Sequence, residues 1–294
     1  MRFRRTTLFL LFAAALASAA APASAALFVK QKVSSSGQGQ GMDMDIEAWT
    51  ENGMARIEYL ESNNPIMPPG SYLLTRDGGQ TVYLVNPQEE TYSIWDLNQI
   101  FAFVGQLSEA TGGMMTIDFK DAESELLVSE PGGEILGHDT THKSWRSAYT
   151  MDMKIAFMDQ SNRMDSVTDA WITDDIEYPA LGVWFTARPP TTGDPDFDAI
   201  LTQNMEHIDG MVLKLQQHTT TTNKKGQTSE SSTTWEVTEL REGDAPSGAF
   251  DMPPDTYTET PLVPMADQAG DGEEGGPMDG LKGLFGRKKK KDEG

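Results

Sequence analysis

Residues 40–50 read Gln-Gly-Met-Asp-Met-Asp-Ile-Glu-Ala-Trp-Thr, a stretch in which apolar and acidic side chains alternate. Successive side chains of an extended chain point to opposite faces, so the apolar side chains share one face and the acidic ones the other. This alternation predicts an antiparallel strand with one face in a core and the other in water.

The same kind of pattern recurs along the chain, with Gly, Asn and Pro turn signals between the segments. It predicts further strands near residues 55–59, 72–75, 81–85, 91–95, 114–120, 124–129, 143–153, 167–173, 211–222 and 229–240. The last two strands flank Asn223-Lys224-Lys225-Gly226, which predicts a hairpin turn.

Two segments have the period of a helix instead. Apolar residues recur at Leu97, Ile100, Phe101, Val104 and Leu107, which is one helical face. A second helix is predicted from Asp194, a capping residue, through Pro195 to Ile208. About ten strands and two helices predict an α+β, mostly β fold, in which an antiparallel sheet curls around helices and buries one face.

The first 25 residues have the three parts of a cleavable export signal. Arg2, Arg4 and Arg5 form a positive start, and residues 8–17 form an apolar run. Such a run is too short to cross a bilayer, which takes about 20 residues. Ala23-Ser24-Ala25 is a small-x-small cleavage pattern, so we expect cleavage before Ala26 and a chain that works outside the cytoplasm.

Membrane attachment of the processed chain is disfavoured. Pro22 interrupts the apolar run, which argues against an uncleaved anchor. The chain has no cysteine, so it cannot be a bacterial lipoprotein, and disulfides, thiol catalysis and thiolate metal sites are excluded as well. The net charge of the full chain is −22, and removal of the three signal arginines makes it −25. So acidic a chain repels nucleic acid and anionic surfaces, except through a local basic patch.

No catalytic, cofactor or metal motif stands out. His138 and His142 have the spacing of a zinc pair on a helix, but the residues around them favour a strand, where positions i and i+4 lie about 13 Å apart. That is too far for two ligands of one zinc ion. Carboxylates are so abundant that they single out no acid–base pair. We therefore expect no catalytic residues, no metal and no cofactor.

Methionine is unusually common, with 16 residues in 294. Met42/Met44 and Met151/Met153 each place two thioethers on one face of a strand. Ordinary core filling is one interpretation, since methionine fills irregular gaps. A pliable wall for an apolar ligand is another. Thioether binding of Cu(I) is a third, and the lack of Cys and the scarcity of His disfavour it.

The composition changes near residue 265. Residues 26–264 make up the predicted domain, residues 265–280 are a Gly- and acid-rich linker expected to be disordered, and residues 281–294 are a basic tail. The tail either stays solvated or docks weakly on an anionic membrane. Its predicted membrane-contact residues are Leu284, Phe285, Arg287, Lys288, Lys289, Lys290 and Lys291.

Five stretches carry a resemblance to a known superfamily. They are 41–46 (Gly-Met-Asp-Met-Asp-Ile), 82–87 (Val-Tyr-Leu-Val-Asn-Pro) followed by Thr91-Tyr92, 135–140 (Ile-Leu-Gly-His-Asp-Thr), 169–175 (Asp-Ala-Trp-Ile-Thr-Asp-Asp) and 250–257 (Phe-Asp-Met-Pro-Pro-Asp-Thr-Tyr). In order and spacing the chain resembles the LolA-like superfamily of outer-membrane lipoprotein carriers and receptors. It looks closest to an uncharacterised family of exported bacterial domains within that superfamily.

The resemblance implies a half-barrel of antiparallel strands covered by two or three helices, with an apolar cavity between them. It also implies the periplasm of a two-membrane bacterium as the location. The superfamily's cavity arginine has no clear counterpart here. We expect the cavity to be lined by apolar residues from both halves of the chain: Met44, Ile46, Ile57, Tyr59, Leu74, Leu84, Trp95, Phe101, Val104, Trp171, Leu213 and Leu215.

Two functions follow from these patterns. The first is a non-enzymatic periplasmic binding protein whose cavity holds a lipid or an acylated guest, such as the acyl chains of a lipoprotein. The second is a structural or regulatory module of the envelope whose interior is filled by its own side chains. A hydrolase built from scattered carboxylates is a third and weaker possibility. An empty apolar cleft separates the first function from the second.

Overall fold

The computed structural model describes residues 26–37, 43–64, 67–95, 115–155, 158–176 and 195–260. Their elements are β1 (Ala26–Ser36), β2 (Asp43–Glu51), β3 (Met54–Ser62), β4 (Tyr72–Thr75), β5 (Val82–Asn86), β6 (Thr91–Trp95), β7 (Met115–Ile135), β8 (His138–Ile155), β9 (Met158–Thr173), α1 (Pro195–Glu206), β10 (Met211–Asn223), β11 (Thr228–Gly243) and β12 (Thr258–Glu259).

All twelve strands belong to one sheet, in the order β12-β6-β5-β4-β3-β2-β1-β11-β10-β9-β8-β7. Neighbours are antiparallel except β12, which pairs with β6 in parallel. Within the described ranges β7 and β12 are the two edges and do not pair with each other, so the sheet is open. The mostly β, antiparallel fold predicted from the sequence is confirmed.

The helical part of the prediction is confirmed at one place. α1 begins at Pro195, as its fixed φ favours, and Ile200 on its buried face is 2% exposed. The other predicted helix, over residues 97–107, lies outside the described residues. The parts of the chain that the structure describes thus hold one helix, where two or three were expected, and none of their helices is long and apolar enough to cross a membrane.

Three strands differ from the prediction, and one of them is the short β12, which was not predicted. β1 was not predicted, yet it lies in the middle of the sheet between β2 and β11. The segments 114–120 and 124–129, predicted as separate strands, belong to the single strand β7. Register shifts between Lys120 and Glu123, Leu126 and Val128, and Pro131 and Gly133 let this long strand follow β8, since a bulge absorbs an extra residue without ending the ladder.

The β7–β8 connection is a two-residue turn, Leu136-Gly137. Both residues have positive φ, 53° and 85°. That combination suits the twist of a hairpin and is easy for Gly but strained for a leucine.

The two faces of the sheet differ in chemistry. The face that carries Met44, Ile57 and Leu84 is called the inner face, and the opposite one the outer face. Residues paired across successive strands lie on the same face, so the inner face continues to β8. The paired residues are Met44, Val33, Trp235, Leu215, Ala170 and Lys143. α1 packs on β7 and β8 at this same face: Asn204 of the helix contacts Ser147, and His207, the residue after the helix, contacts Trp145.

Candidate functional site

The candidate site is a continuous apolar cluster on the inner face. It runs across β2, β3, β4 and β5 because Ala48 lies opposite Ile57, Ile57 opposite Leu73 and Leu73 opposite Leu84. The buried members are Val29, Val33, Met44, Ile46, Ala48, Ile57, Tyr59, Met67, Leu73, Val82, Leu84, Met211, Leu213 and Val237. We call this set the inner cluster.

The alternation of residues 43–51 accounts for the centre of the inner cluster. Every second residue of β2 from Met44 onward is buried, and the acidic residues between them are half-exposed on the outer face. The strand therefore contributes Met44, Ile46 and Ala48 to the inner face, while its outer face carries Asp45, Glu47 and Trp49, whose ring packs on Phe28.

Six of the twelve predicted lining residues meet in the inner cluster: Met44, Ile46, Ile57, Tyr59, Leu84 and Leu213. None of the six is more than 9% exposed, so this part of the face is closed to solvent. Leu215, also 9% exposed, lies opposite Trp235, which packs against the inner cluster.

Leu74 does not belong with them. It packs with Tyr72 and Val85 in a separate cluster on the outer face, which includes Phe250 and Tyr257. All four residues of β4 are buried, so the strand has no polar alternation from which its inward side could be predicted. Its neighbour Leu73 takes the inner position instead.

Trp171 lies on the outer face as well. Its ring stacks on His142 with centroids 4.7 Å apart, and the Nζ of Lys214 lies 4.8 Å from the Trp171 ring centroid on a neighbouring strand. His142 Nε2 is 2.9 Å from Asp169 Oδ1, and its Nδ1 is 3.5 Å from Glu130 Oε1. Trp171 is therefore held between a cation and a histidine among charged groups, and it is not part of an apolar wall.

The remaining predicted contacts cannot be placed. The side chain of Trp95, both Phe101 and Val104, and the tail residues Leu284, Phe285, Arg287 and Lys288–Lys291 lie outside what the structure describes.

The outer face carries charge in register. Lys32 on β1 lies opposite Asp45 on one side and Glu236 on the other, and Glu236 lies opposite Lys214. A groove of about 310 Å³ on this face is lined by Lys32, Val33, Ser34, Asp43, Met44, Asp45, Thr234 and Glu236. Six of its eight lining residues are polar or charged, so it is not the apolar cavity that the sequence predicts.

A polar network that the sequence did not predict ties α1 to the sheet. Asn204 Oδ1 accepts hydrogen bonds from Ser124 Oγ at 3.0 Å and from Ser147 Oγ at 2.6 Å. His207 Nε2 lies 3.3 Å from the same Ser124 Oγ. These residues come from separate parts of the chain, Ser124 and Asn204 being 80 positions apart, and no local pattern links them.

His207 titrates abnormally at this position. Burial, and then the charge of Lys143, lower its pKa below the usual 6.5, although Glu206 opposes them. The Lys143 Nζ is paired with Asp209 Oδ2 at 2.8 Å, and the His207 ring lies 5.4 Å from that of Trp145. The Ser124–His207 pair thus favours a neutral imidazole.

The two histidines with zinc-like spacing lie on β8, the strand that the sequence predicts for them. His138 pairs with Asp175 at 3.5 Å, and His142 pairs with different carboxylates. Across the residues that the structure describes, no three His, Cys, Asp or Glu side chains are grouped to hold a metal ion.

Four of the five stretches that carry the family resemblance contact one another in pairs. His138, from 135–140, contacts Asp175, from 169–175, and Ile135 packs against the inner cluster. Tyr83 and Tyr92 pack with Phe250 and Tyr257 in the outer-face cluster that contains Leu74. These four stretches therefore contact one another in two separate places, whereas residues 43–46 of the fifth stretch lie on β2, in the middle of the sheet.

No family model matches the chain, and no curated protein matches it at a significant level. Among the solved structures similar to it are the following two. One is a candidate outer membrane lipoprotein-sorting protein domain from Vibrio parahaemolyticus, with 9% identity and a TM-score of 0.28 over 76% of this chain and 89% of that one. The other is a DUF1329 family protein from Desulfovibrio piger, with 9% identity and a TM-score of 0.30 over 78% of this chain and 91% of that one.

Proposed function

We propose that the chain is an exported, non-enzymatic binding protein of the periplasm that holds the acyl chain of a lipid or acylated guest against the inner cluster. The observation that carries the proposal is the inner cluster itself, which is apolar across β2, β3, β4 and β5 and continues onto β1, β10 and β11. The proposal takes the sheet to curl into a half-barrel under its helices, as the sequence resemblance implies.

The chemistry of the inner cluster supports a flexible guest. Three of its members, Met44, Met67 and Met211, are methionines, whose unbranched side chains can rearrange around an incoming chain. Each methylene of a guest that becomes buried contributes about 0.8 kcal/mol before the entropic cost of binding. An acyl chain can therefore bind tightly without polar or catalytic groups at the site.

One observation favours the second candidate, an envelope interaction module with a filled core. The six inner-cluster residues predicted to line the cavity are at most 9% exposed, the value expected of side chains that pack on one another. The two candidate functions differ in whether the chain binds an added apolar ligand.

The deciding experiment measures lipid binding by the full chain. Protein purified from its native envelope is examined by mass spectrometry under non-denaturing conditions, and a fluorescent fatty acid is then titrated into delipidated protein. We expect co-purified lipid and saturable probe binding. A chain that carries no lipid and does not bind the probe overturns the proposal in favour of the filled-core module.

A matched pair of variants locates the binding. Met44→Trp fills space at an inner-cluster position that is 7% exposed, whereas Leu60→Trp adds the same bulk where the side chain is 38% exposed. Both proteins are checked for native circular dichroism. Met44→Trp is expected to reduce the number of probe molecules bound, and Leu60→Trp to leave it unchanged. Equal binding by the two variants places the ligand elsewhere.

The basic tail is proposed separately to give a weak, salt-sensitive contact with anionic membranes. Near such a surface each lysine or arginine contributes about 1 kcal/mol. Deletion of residues 281–294 from the full chain is expected to abolish sedimentation with phosphatidylglycerol vesicles at low salt. Sedimentation that persists after the deletion rules out the tail as the contact.

A further inference from the structure

Next to the inner cluster, the inner face changes from apolar to hydroxyl-bearing. One row of register-paired residues crosses β1, β11, β10 and β9, and a second crosses β11, β10, β9 and β8; we call them the hydroxyl rows, since all their members except the amide Gln217 carry a hydroxyl. The first consists of Ser35, Thr233, Gln217 and Thr168, and the second of Ser231, Thr219, Ser166 and Ser147.

The hydroxyl rows form a regular grid. Neighbouring strands are about 4.8 Å apart and alternate residues on one strand about 6.7 Å apart, so the polar groups repeat at these spacings. Some of them bond to each other, as Ser166 Oγ does to Thr219 Oγ1 at 2.9 Å and Gln217 Nε2 does to Thr168 Oγ1 at 3.2 Å. A hydroxyl offers one donor and two acceptor sites, so the half-exposed Ser166, Thr219 and Thr233 retain capacity for a further partner, whereas Thr168 and Ser147 are buried.

None of the eight side chains in the hydroxyl rows is charged. The outer face of the same strands differs, with Asp169 and Asp165 on β9, Lys214 on β10, and Glu236 and Glu230 on β11. The chain as a whole has a net charge of −22. Positions such as Thr219 and Thr233 are half-exposed, so packing does not force neutral residues there.

The hydroxyl rows have defined neighbours. On one side they follow directly on Val33, Trp235 and Leu215, which belong to or border the inner cluster. Toward α1 the second row ends at Ser147, whose hydroxyl donates a hydrogen bond to Asn204 Oδ1. An apolar surface and a neutral, hydrogen-bonding surface are therefore continuous on one face of the sheet.

We infer that the guest is an amphipathic lipid whose head group is uncharged and rich in hydroxyls, as in a neutral glycolipid; this inference rests on the proposed function. The acyl chain packs on the inner cluster, and the sugar hydroxyls exchange hydrogen bonds with the hydroxyl rows in place of water. A phosphate head group would find no cation within the rows and would be repelled by the acidic chain.

The test is a competition in which a bound fluorescent fatty acid is displaced from the full chain. The competitors are a monohexosyl diacylglycerol and a phosphatidylglycerol with the same acyl chains. We expect the neutral glycolipid to displace the probe at a concentration about tenfold lower. The double variant Thr219→Val/Thr233→Val should remove this preference while probe binding itself is retained.

The matched control changes the outer face of the same two strands. Thr220→Val/Ser232→Ala removes two hydroxyls from residues adjacent to Thr219 and Thr233, and it should keep the full preference. In addition, Thr219→Lys should shift the preference toward phosphatidylglycerol.

Two results overturn the inference and leave the proposed function standing. One is equal displacement by the two lipids, and the other is a preference that survives Thr219→Val/Thr233→Val. A wild-type chain that does not bind the probe overturns the proposed function and this inference with it.

Discussion

Ser147 Oγ donates a 2.6 Å hydrogen bond to Asn204 Oδ1, and this contact links β8 to α1. The same amide oxygen accepts a second bond from Ser124 of β7. One side chain thus joins the helix to two strands at the edge of the sheet. Its partners are hydroxyls, so its removal leaves Ser147 without this acceptor and Ser124 with only its contact to His207.

Replacement of Asn204 by Ala should lower the free energy of unfolding by about 1–3 kcal/mol, because Ser124 and Ser147 lose their acceptor. The measurement is urea unfolding followed by tryptophan fluorescence. Gln203→Ala, on the exposed side of the same helix turn, is the control and should change stability by less than about 0.5 kcal/mol. Similar losses in the two variants would mean that the network does not anchor the helix.

The second prediction concerns pH. Burial and Lys143 depress the pKa of His207, so the folded state binds fewer protons than the unfolded state as pH falls through 6.5. The stability contributed by neutral His207 is complete above this value and is lost as pH falls toward and below the depressed pKa. The free energy of unfolding should therefore drop between pH 7.5 and pH 5, and less steeply in His207→Gln.

His218 supplies the comparison, because its side chain is exposed on β10. His218→Gln should have the same pH profile of unfolding as the wild-type chain. If His207→Gln also has that profile, the buried imidazole is not the titrating group.

The third prediction tests the packing of the inner cluster. Leu213 is fully buried, and Leu213→Ala should cost about 2–5 kcal/mol of unfolding free energy because it leaves a cavity. Leu60→Ala, at a position 38% exposed, should change stability by less than about 0.5 kcal/mol. Calorimetry or urea unfolding of both variants provides the comparison, and a cost below about 1 kcal/mol for Leu213→Ala would show that the cluster is loosely packed.

The fourth prediction concerns Gly210, at the start of β10. A Cβ atom at this position would collide with the carbonyl oxygen of Thr173 and lie 3.1 Å from Ile172 Cγ2. Gly210→Ala should therefore destabilise the fold by about 1–3 kcal/mol. At Gly243 the nearest atom to such a Cβ is the flexible end of Arg241 at 3.5 Å, so Gly243→Ala should be neutral or slightly stabilising. The thermal midpoints of the two variants would coincide only if the backbone at Gly210 can move away.

The fifth prediction is a stabilising change. Leu136 has a φ of 53° and its side chain is 44% exposed, so it bears strain without contributing much burial. Leu136→Asn should raise the unfolding free energy by up to about 1 kcal/mol, because Asn tolerates this conformation better. Leu136→Ala lacks the short polar side chain that can hydrogen-bond locally in this conformation, and it should bring no such gain. A gain of equal size in both variants would implicate the leucine side chain rather than the backbone.

Local periodicity predicted most strands of the sheet, because β2 and β3 are polar on one face and apolar on the other. It also predicted α1, whose start at Pro195 is a local signal. Long-range pairing could not be predicted in this way. Nothing in residues 26–36 indicates that β1 lies between β2 and β11.

The sequence could predict the candidate site only in strands where polar and apolar residues alternate. Met44, Ile46 and Ile57 lie together on the inner face, because polar residues separate them from their apolar neighbours along each strand. Leu74 lies on the outer face, since all four residues of β4 are buried and no alternation marks its inner side. Trp171 also lies on the outer face, and its neighbours there, His142 and Lys214, come from other strands. A single side chain's type does not reveal which face it occupies.

The central position of β1 has a consequence for the order of assembly. β1 pairs on one side with β2, its neighbour in sequence. On the other side it pairs with β11, which is far along the chain: Lys30 and Thr238, which contact each other, are 208 residues apart. Strands β2–β6 and β7–β11 each pair with sequence neighbours and can form early, since local contacts close quickly. Pairing of the two halves through β1 is then the slow step. Until it occurs, each half has an edge strand with unpaired backbone N–H and C=O groups. A chaperone or an aggregating neighbour would compete for those edges during that interval.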